Sequence, residues 1–347
     1  MNKIFKHFGE SIVVTIVFLL IAAIIGYNIG GPSVALSSLI TTALLGVLET
    51  SLSFDNAVVN ATILAKMNHF WRTMFLTVGM IIAVFGMRLV FPIVIVWAVS
   101  DNTFLNVIQL TWKAPKEFQS ILVAQHIKVA GFGGAFLWMV FSKFFFDKEK
   151  DNHWISIVEK PMSKIGEIES VWTIFTIAVS FLASRFVENN LGTEFFLSAI
   201  AGVVSYLVVK GLSSLVESGE GTVSGVASAG LTTFLYLEVL DASFSFDGVI
   251  GSFAITNNLA LIALGLGIGA MFVRSLTIKM VDDNTLTEYQ FLENGAFWAI
   301  GALATIMYVS SSGIEIPEVV SGLIGFSLIA IAFVSSVISK SHTVSES

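Results

Sequence analysis

Apolar residues run along this chain in long blocks, and the polar positions fall mostly between them. A bilayer core of roughly 30 Å needs about nineteen helical residues at 1.5 Å each. A window of that length finds ten blocks: 11–29, 34–65, 71–99, 120–146, 171–188, 194–215, 225–256, 259–281, 291–312 and 318–338. The pattern predicts an all-α polytopic membrane protein of about ten transmembrane helices in a single membrane domain, 1–347. The first block follows a short charged stretch, as a signal peptide would. It is long enough to span, however, and no small-residue cleavage site follows Tyr27-Asn28-Ile29, so it is read as a helix that stays in place. The second and seventh blocks are too long for straight crossings, and both carry acidic residues in their middles. That combination predicts tilted or locally broken helices whose polar backbone faces protein or water.

Two connections stand out by length. Asp147 to Ser170 reads as a cytoplasmic loop with an amphipathic piece against the membrane, and Ser100 to Gln119 reads as an external one; both are expected to be solvated. With the N-terminus inside, the cytoplasmic segments hold twelve lysines and arginines, among them Lys66, Arg72, Lys143 and Lys340, against Lys113 and Lys116 on the other side. That bias places both termini in the cytoplasm.

Composition agrees with the pattern. Hydrophobic residues make up 55% of the 347, charged residues 12%, and the mean hydropathy is +0.86. A soluble domain needs roughly twice that charge, so the net charge of −7 says little about a soluble partner. No basic, aromatic-interleaved patch points to nucleic acid. Cysteine is absent, which excludes disulfides, thiolate metal sites and thiol nucleophiles.

The two over-long blocks repeat one another. LETSLSFDNAVVNATIL at 48–64 aligns without a gap on LDASFSFDGVIGSFAIT at 240–256. Glu49 meets Asp241, Ser51 meets Ser243, Ser53 meets Ser245, and Asp55 meets Asp247. Each copy is followed by an apolar helix with one arginine, Arg88 in the first and Arg274 in the second. The halves are then 11–188 and 194–338, and five helices in each would set them in opposite orientations, the inverted-repeat plan.

An ionised carboxylate in hydrocarbon costs at least ~3 kcal/mol and faces a cavity, a partner or an ion. One reading has Glu49, Asp55, Asp241 and Asp247 paired with Arg88, Arg274 and Lys128 to lock helices together. Four acids against three cations leave charge that a metal ion would balance. At 100° per residue Glu49, Ser53, Asn56 and Asn60 share one helical face, while Asp55 and Ser51 lie on another. Both carboxylates reach one site only if the helix unwinds between them or each serves a different neighbour. In the second copy Glu238, Asp241, Ser245, Gly248 and Ser252 form the matching stripe, and Gly248 would let backbone approach an ion. Carboxylate, amide and hydroxyl oxygens suit hard cations: Mg²⁺, Ca²⁺ or Mn²⁺. His126 is read as an interfacial or network residue. Arg88 and Arg274 are either interfacial anchors or counter-charges for the acids once an ion has left.

The motif from Glu49 to Asn56, an acid followed by hydroxyls and Asp-Asn, resembles the signature of the TerC family. The segment ending Phe253-Ala-Ile-Thr256 resembles that family's second motif, and Tyr289 to Ser311 and Ile314 to Gly322 are similar to its later segments. The likeness covers most of 34–338 and suits a divergent branch; where the family's second motif continues Asp-Ser, this chain has Asp247-Gly248. The resemblance implies an integral protein of the bacterial plasma membrane, linked by name to tellurium-ion resistance and by function to manganese or calcium efflux. It also implies kinship with a wider group of exporters that includes lysine exporters. The ion ligands would be Glu49, Asp55, Asn56, Asp241 and Asp247.

The expectation is therefore a secondary transporter exporting a divalent cation, manganese first, with Ser51, Ser53, Asn60, Glu238, Ser243 and Ser245 as supporting oxygens and no resident cofactor. No phosphate-cradling glycine motif is present, so the chain would not hydrolyse ATP. The alternative is an exporter of a cationic organic solute such as a basic amino acid. An intramembrane aspartyl protease is the third class. The Gly-x-Gly-Asp context of such proteases is missing, because Asp247 follows Phe-Ser-Phe, so no enzyme is expected. The expected partners are the bilayer, the cation, a second copy of the chain, and a metal-handling protein at the 147–170 loop.

Overall fold

The computed structural model describes residues 2–168, 170–217, 223–314 and 316–345. Thirteen helices carry the fold among them: α1 (Asn2–Leu52), α2 (Phe54–Leu64), α3 (His69–Val99), α4 (Phe104–Lys113), α5 (Pro115–Val123), α6 (His126–Phe145), α7 (Ser156–Ile165), α8 (Val171–Ser184), α9 (Gly192–Glu217), α10 (Val223–Ser252), α11 (Leu259–Asp282), α12 (Leu292–Ser310) and α13 (Glu318–Ser345). No strand occurs among the described residues.

Among the described residues seven helices are long and apolar enough to cross a membrane: His7–Leu52, His69–Val99, His126–Phe145, Gly192–Gly211, Leu259–Asp282, Leu292–Ser310 and Val319–Lys340. Three of the ten expected blocks are absent from that set for separate reasons. Blocks 11–29 and 34–65 meet in α1, which is bent at Gly30 and Gly31. Gly31 has φ +75°, a left-handed value that glycine adopts without strain. Pro32 follows, where a helix start tolerates it. The two arms, 2–29 and 32–52, fold back on each other so closely that a Cβ at Gly26 would stand 2.6 Å from the Val34 carbonyl. Block 171–188 is the 14-residue α8, about 21 Å long. Block 225–256 is the 30-residue α10, whose body carries Glu238, Asp241 and Asp247.

The outward faces are apolar. Ile16, Leu20 and Ile24 on one arm of α1, and Leu36, Ile40 and Leu44 on the other, recur every four residues and are all exposed. A stripe of that kind belongs against lipid. The interior is apolar too, with Phe136, Phe145, Phe195 and Leu237 fully buried, but glycines and polar residues collect near the acidic motifs. The helix pair nearest the site, α1 and α11, approaches through glycine: a Cβ at Gly46 would meet Ile268 at 2.8 Å, and one at Gly265 would meet Leu45 at 2.5 Å. Small residues at such contacts let membrane helices pack backbone to backbone.

Contacts at the helix ends fix which ends lie together. His7 stands near Asp282, Lys66 pairs with Glu293, and Lys340 pairs with Glu288. The start of α1 and the end of α13 are therefore on one side of the molecule. On the opposite side the amide of Glu188 donates to the Ser311 carbonyl, joining the ends of α8 and α12.

Both connections expected to be solvated contain helices. Residues 100–119 hold α4 and the start of α5, which bury Val107, Phe118 and Leu122 against Leu45, Phe246 and Ile262. Residues 147–170 hold α7, pinned by Glu159. That carboxylate is fully buried and accepts from Lys150 Nζ (2.8 Å), Asn294 Nδ2 (2.8 Å), Trp298 Nε1 (3.0 Å) and the amides of Trp154 and Ile155 (3.1 Å each). Burial pushes the Glu159 carboxyl up, but Lys150, Trp298 and the Ile155 amide outweigh it and hold the group below its usual range. Burial likewise lowers Lys150, whose ammonium lies over the Phe144 and Phe145 rings. The loop's charges are thus partly spent on holding it to the membrane domain.

Candidate functional site

The first acidic motif lies across a break in the helix. α1 ends at Leu52, α2 begins at Phe54, and Ser53 between them has φ −97° and ψ 25°. The unwinding expected between Glu49 and Asp55 occurs here. The second motif stays inside α10 without a break; that helix ends after Ser252. Glycines of α13 accommodate the break: a Cβ at Gly322 would meet Leu52, and one at Gly325 would stand 3.0 Å from Asp55 Oδ2.

Two small cavities adjoin at the break. The first is lined by Glu49, Ser53, Asn56 and Asn60 from the first motif, Asp241 and Ser245 from the second, and Arg88, Arg274 and Thr277. The second is lined by Glu49, Ser53, Asp55 and Asn56, facing Asp247 and Gly248, with Ser321 and Gly322 from α13. Glu49, Ser53 and Asn56 belong to both. The space open to the centre of a water-sized particle is about 30 Å³ in the first and about 50 Å³ in the second. One water needs roughly 10–15 Å³ on this measure. The cavities therefore have room for a few waters each.

The charges in the first cavity are partnered across the fold. Arg88 Nη2 donates to Glu49 Oε1 at 2.6 Å, and Nη1 donates to the Ala83 carbonyl at 2.6 Å. Both side chains are under one-tenth exposed. Asn60 Nδ2 donates to Asp241 Oδ1 at 3.0 Å, joining the two motifs directly. Asn60 Oδ1, Ser245 Oγ and Arg88 Nε are buried without a partner. In the second cavity Asp55 Oδ1 accepts the amide of Asn56 at 2.9 Å, while Asp247 Oδ1 lies 3.9 Å from His126 Nε2, too far for a hydrogen bond.

Other members of the expected set stand elsewhere. Ser51 is exposed and donates to Val47 of its own helix, Ser243 donates to Val239, and neither lines either of these two cavities. Glu238 is buried beside the first cavity with both carboxylate oxygens unpartnered; a Cβ at Gly79 would meet its Oε1 at 2.5 Å. Lys128 is exposed. Arg274 lines the first cavity, but its Nη1 donates to Glu10 at 2.6 Å and its Nε to the Leu76 carbonyl at 2.7 Å, so its charge is met outside the motifs. Among the described residues no three or more His, Asp or Glu side chains cluster as a metal site, and the five expected ligands are shared between the two cavities.

Thr277, Ser321, Gly322 and Glu10 escaped the sequence reading. Thr277 lies one turn beyond Arg274, a spacing that marked it as a neighbour. Nothing local marks the other three. The wall formed by α3 is unusual: Phe75–Gly79 and Ile82–Val90 are π-helical, a geometry found often at functional sites. Arg274 docks on the carbonyl of Leu76 in the first of these segments, and Arg88 on that of Ala83 in the second.

No curated protein and no solved structure matches the chain. A family model described as "Protein of unknown function (DUF475)" matches residues 54–343.

Proposed function

We propose, for a chain that belongs to the DUF475 family, a secondary transporter that exports a divalent cation, manganese first, through the paired cavities at the Ser53 break. The observation that carries the reading is the meeting of the two acidic motifs across ion-sized spaces lined by oxygen. Carboxylate, amide and hydroxyl oxygens match the hard divalent ions. Glu49 and Asp241 would hold the ion in the first cavity, and Asp55 and Asp247 in the second. Asn56, Ser53 and Asn60 supply neutral oxygens. Glu49 serves both cavities and would pass the ion between them. Arg88 occupies the Glu49 carboxylate and competes with the cation for it, as a counter-charge does.

The repeat supports alternating access by two halves. The arm 32–52 with α2 packs on α11 and α12, and α10 packs on α3 and α6, the matching partners when the halves are exchanged. The side that carries the start of α1 and the end of α13 is taken as cytoplasmic, from its lysines and arginines. In this reading ten segments cross, with the bent α1 supplying two, and the relation of the halves is inverted. It agrees with the resemblance to the TerC family.

Purified protein titrated with Mn²⁺, Ca²⁺ and Mg²⁺, then reconstituted for flux, tests the reading with Asp55→Asn/Asp247→Asn alongside. Saturable binding and flux in the native chain, both reduced at least about tenfold in the variant, are expected. Undiminished metal flux in the variant sinks the assignment. Inhibition by lysine or arginine, and not by Mn²⁺, would move it to a cationic organic solute.

A further inference from the structure

A groove adjoins the first cavity. It runs between the 2–29 arm of α1, α3 and α11, is mostly apolar (Phe18, Met80, Val84, Phe85), and offers about 360 Å³ to the centre of a water-sized particle. Leu76, Met80 and Arg274 line both the groove and the first cavity, so these side chains are the wall between them. The charged member of the wall is tethered twice. Its Nε reaches the Leu76 carbonyl, and its Nη1 reaches Glu10 in the groove. The two partners differ sharply in exposure: Arg274 is 12% exposed and Glu10 72%. A desolvated guanidinium thus stands in the passage, anchored by a carboxylate that faces out.

We propose that the groove is an access route to the first cavity and that the Glu10–Arg274 pair is its gate. A cation entering from the groove meets a fixed positive charge and a filled passage. Both obstacles go together when the arginine swings towards the open end of the groove. A buried charge held by one exposed partner favours that swing once the partner is lost, since an unpaired buried guanidinium is costly. The groove lies towards the end of the molecule where His7 approaches Asp282, so the gate serves that side. The transport reading is needed only to name a cation as what passes.

The chain has no cysteine, so one introduced thiol reports without background. Ala270 lines the first cavity one turn from Arg274, and Thr77 lines only the groove. Ala270→Cys should react slowly with a small cationic methanethiosulfonate reagent in the otherwise native chain. Adding Glu10→Gln or Arg274→Gln should raise that rate about tenfold, the equivalent of about 1.4 kcal/mol. Arg274→Lys, which keeps the charge, should stay slow. Thr77→Cys should react at one rate in every background. Equal Ala270→Cys rates in all backgrounds, with Thr77→Cys reactive, overturn the gate. Should Arg274→Gln fold poorly, Glu10→Gln decides alone, because its side chain is at the surface. Absence of Mn²⁺ binding with this labelling pattern intact would remove the cation and leave the gate.

Discussion

Replacing Arg88 by glutamine separates a counter-charge from a structural lock. The guanidinium and Glu49 meet at 2.6 Å with both side chains nearly excluded from the surface. Two unit charges about 4 Å apart interact by ~4 kcal/mol at an effective dielectric constant of 20. Breaking one side of a buried pair costs roughly 3–5 kcal/mol, because the survivor is left uncompensated. Arg88→Gln should therefore melt well below the native chain when both are free of divalent ions. A cation that binds at Glu49 no longer has to displace a guanidinium in the variant. Mn²⁺ should bind at least about tenfold tighter, a fraction of what ~4 kcal/mol would allow. At a hundred times its Kd, the ion should restore about 2.7 kcal/mol of stability. Calorimetric titration and thermal unfolding in detergent, with and without a chelator, read both numbers. A folded Arg88→Gln protein that binds Mn²⁺ no better than the native chain, or is stabilised by it less, refutes competition at Glu49. The pair would then be a lock.

Two further outcomes follow from packing and charge. Gly269→Ala would drive a methyl group into the Glu49 side chain and to 3.0 Å from the Thr50 amide; overpacking of that kind costs roughly 1–3 kcal/mol, and weaker divalent binding should accompany the lower melting temperature. Glu159→Gln should destabilise by roughly 3 kcal/mol near neutral pH, since Lys150 loses its buried partner. The Glu159 carboxyl lies below its ordinary value of 4.5 in the folded chain, so its contribution is present above that pH and is lost as the pH falls through the lower folded value. Melting curves of the two proteins should converge on acidification; a gap that stays constant would mean that the charge is not what holds α7.

Much of the site was legible from spacing. Glu49, Ser53, Asn56 and Asn60, placed on one face by the 100° step, do line one cavity together, and the over-long second block does break between Glu49 and Asp55. For the seventh block the same reasoning left a tilted or a broken helix open, and α10 is unbroken. Acidic residues in a long apolar block mark a need for polar surroundings, and an unbroken helix meets that need when its neighbours bring the polar atoms. The repeat named Ser51 and Ser243 by residue type alone, and their hydroxyls donate to Val47 and Val239 of their own helices, because a residue type is known from the sequence while what packs on it is not.

The amino-acid sequence by itself determined the class of this protein, through apolar blocks too long and too poor in charge for a water-soluble fold. It determined the duplication of an acidic motif, and the absence of cysteine excluded thiolates from any chemistry at that motif. Only the tertiary structure decided the partners. Asn60 finds Asp241 across 181 residues, Glu49 finds Arg88, and Arg274 turns from the motif acids to Glu10, 264 residues away. Helical periodicity is a local property that orients a side chain about its own axis. Which charge it meets depends on how closely glycine-lined helices approach and where a helix breaks, and those are settled by packing among segments far apart in the chain.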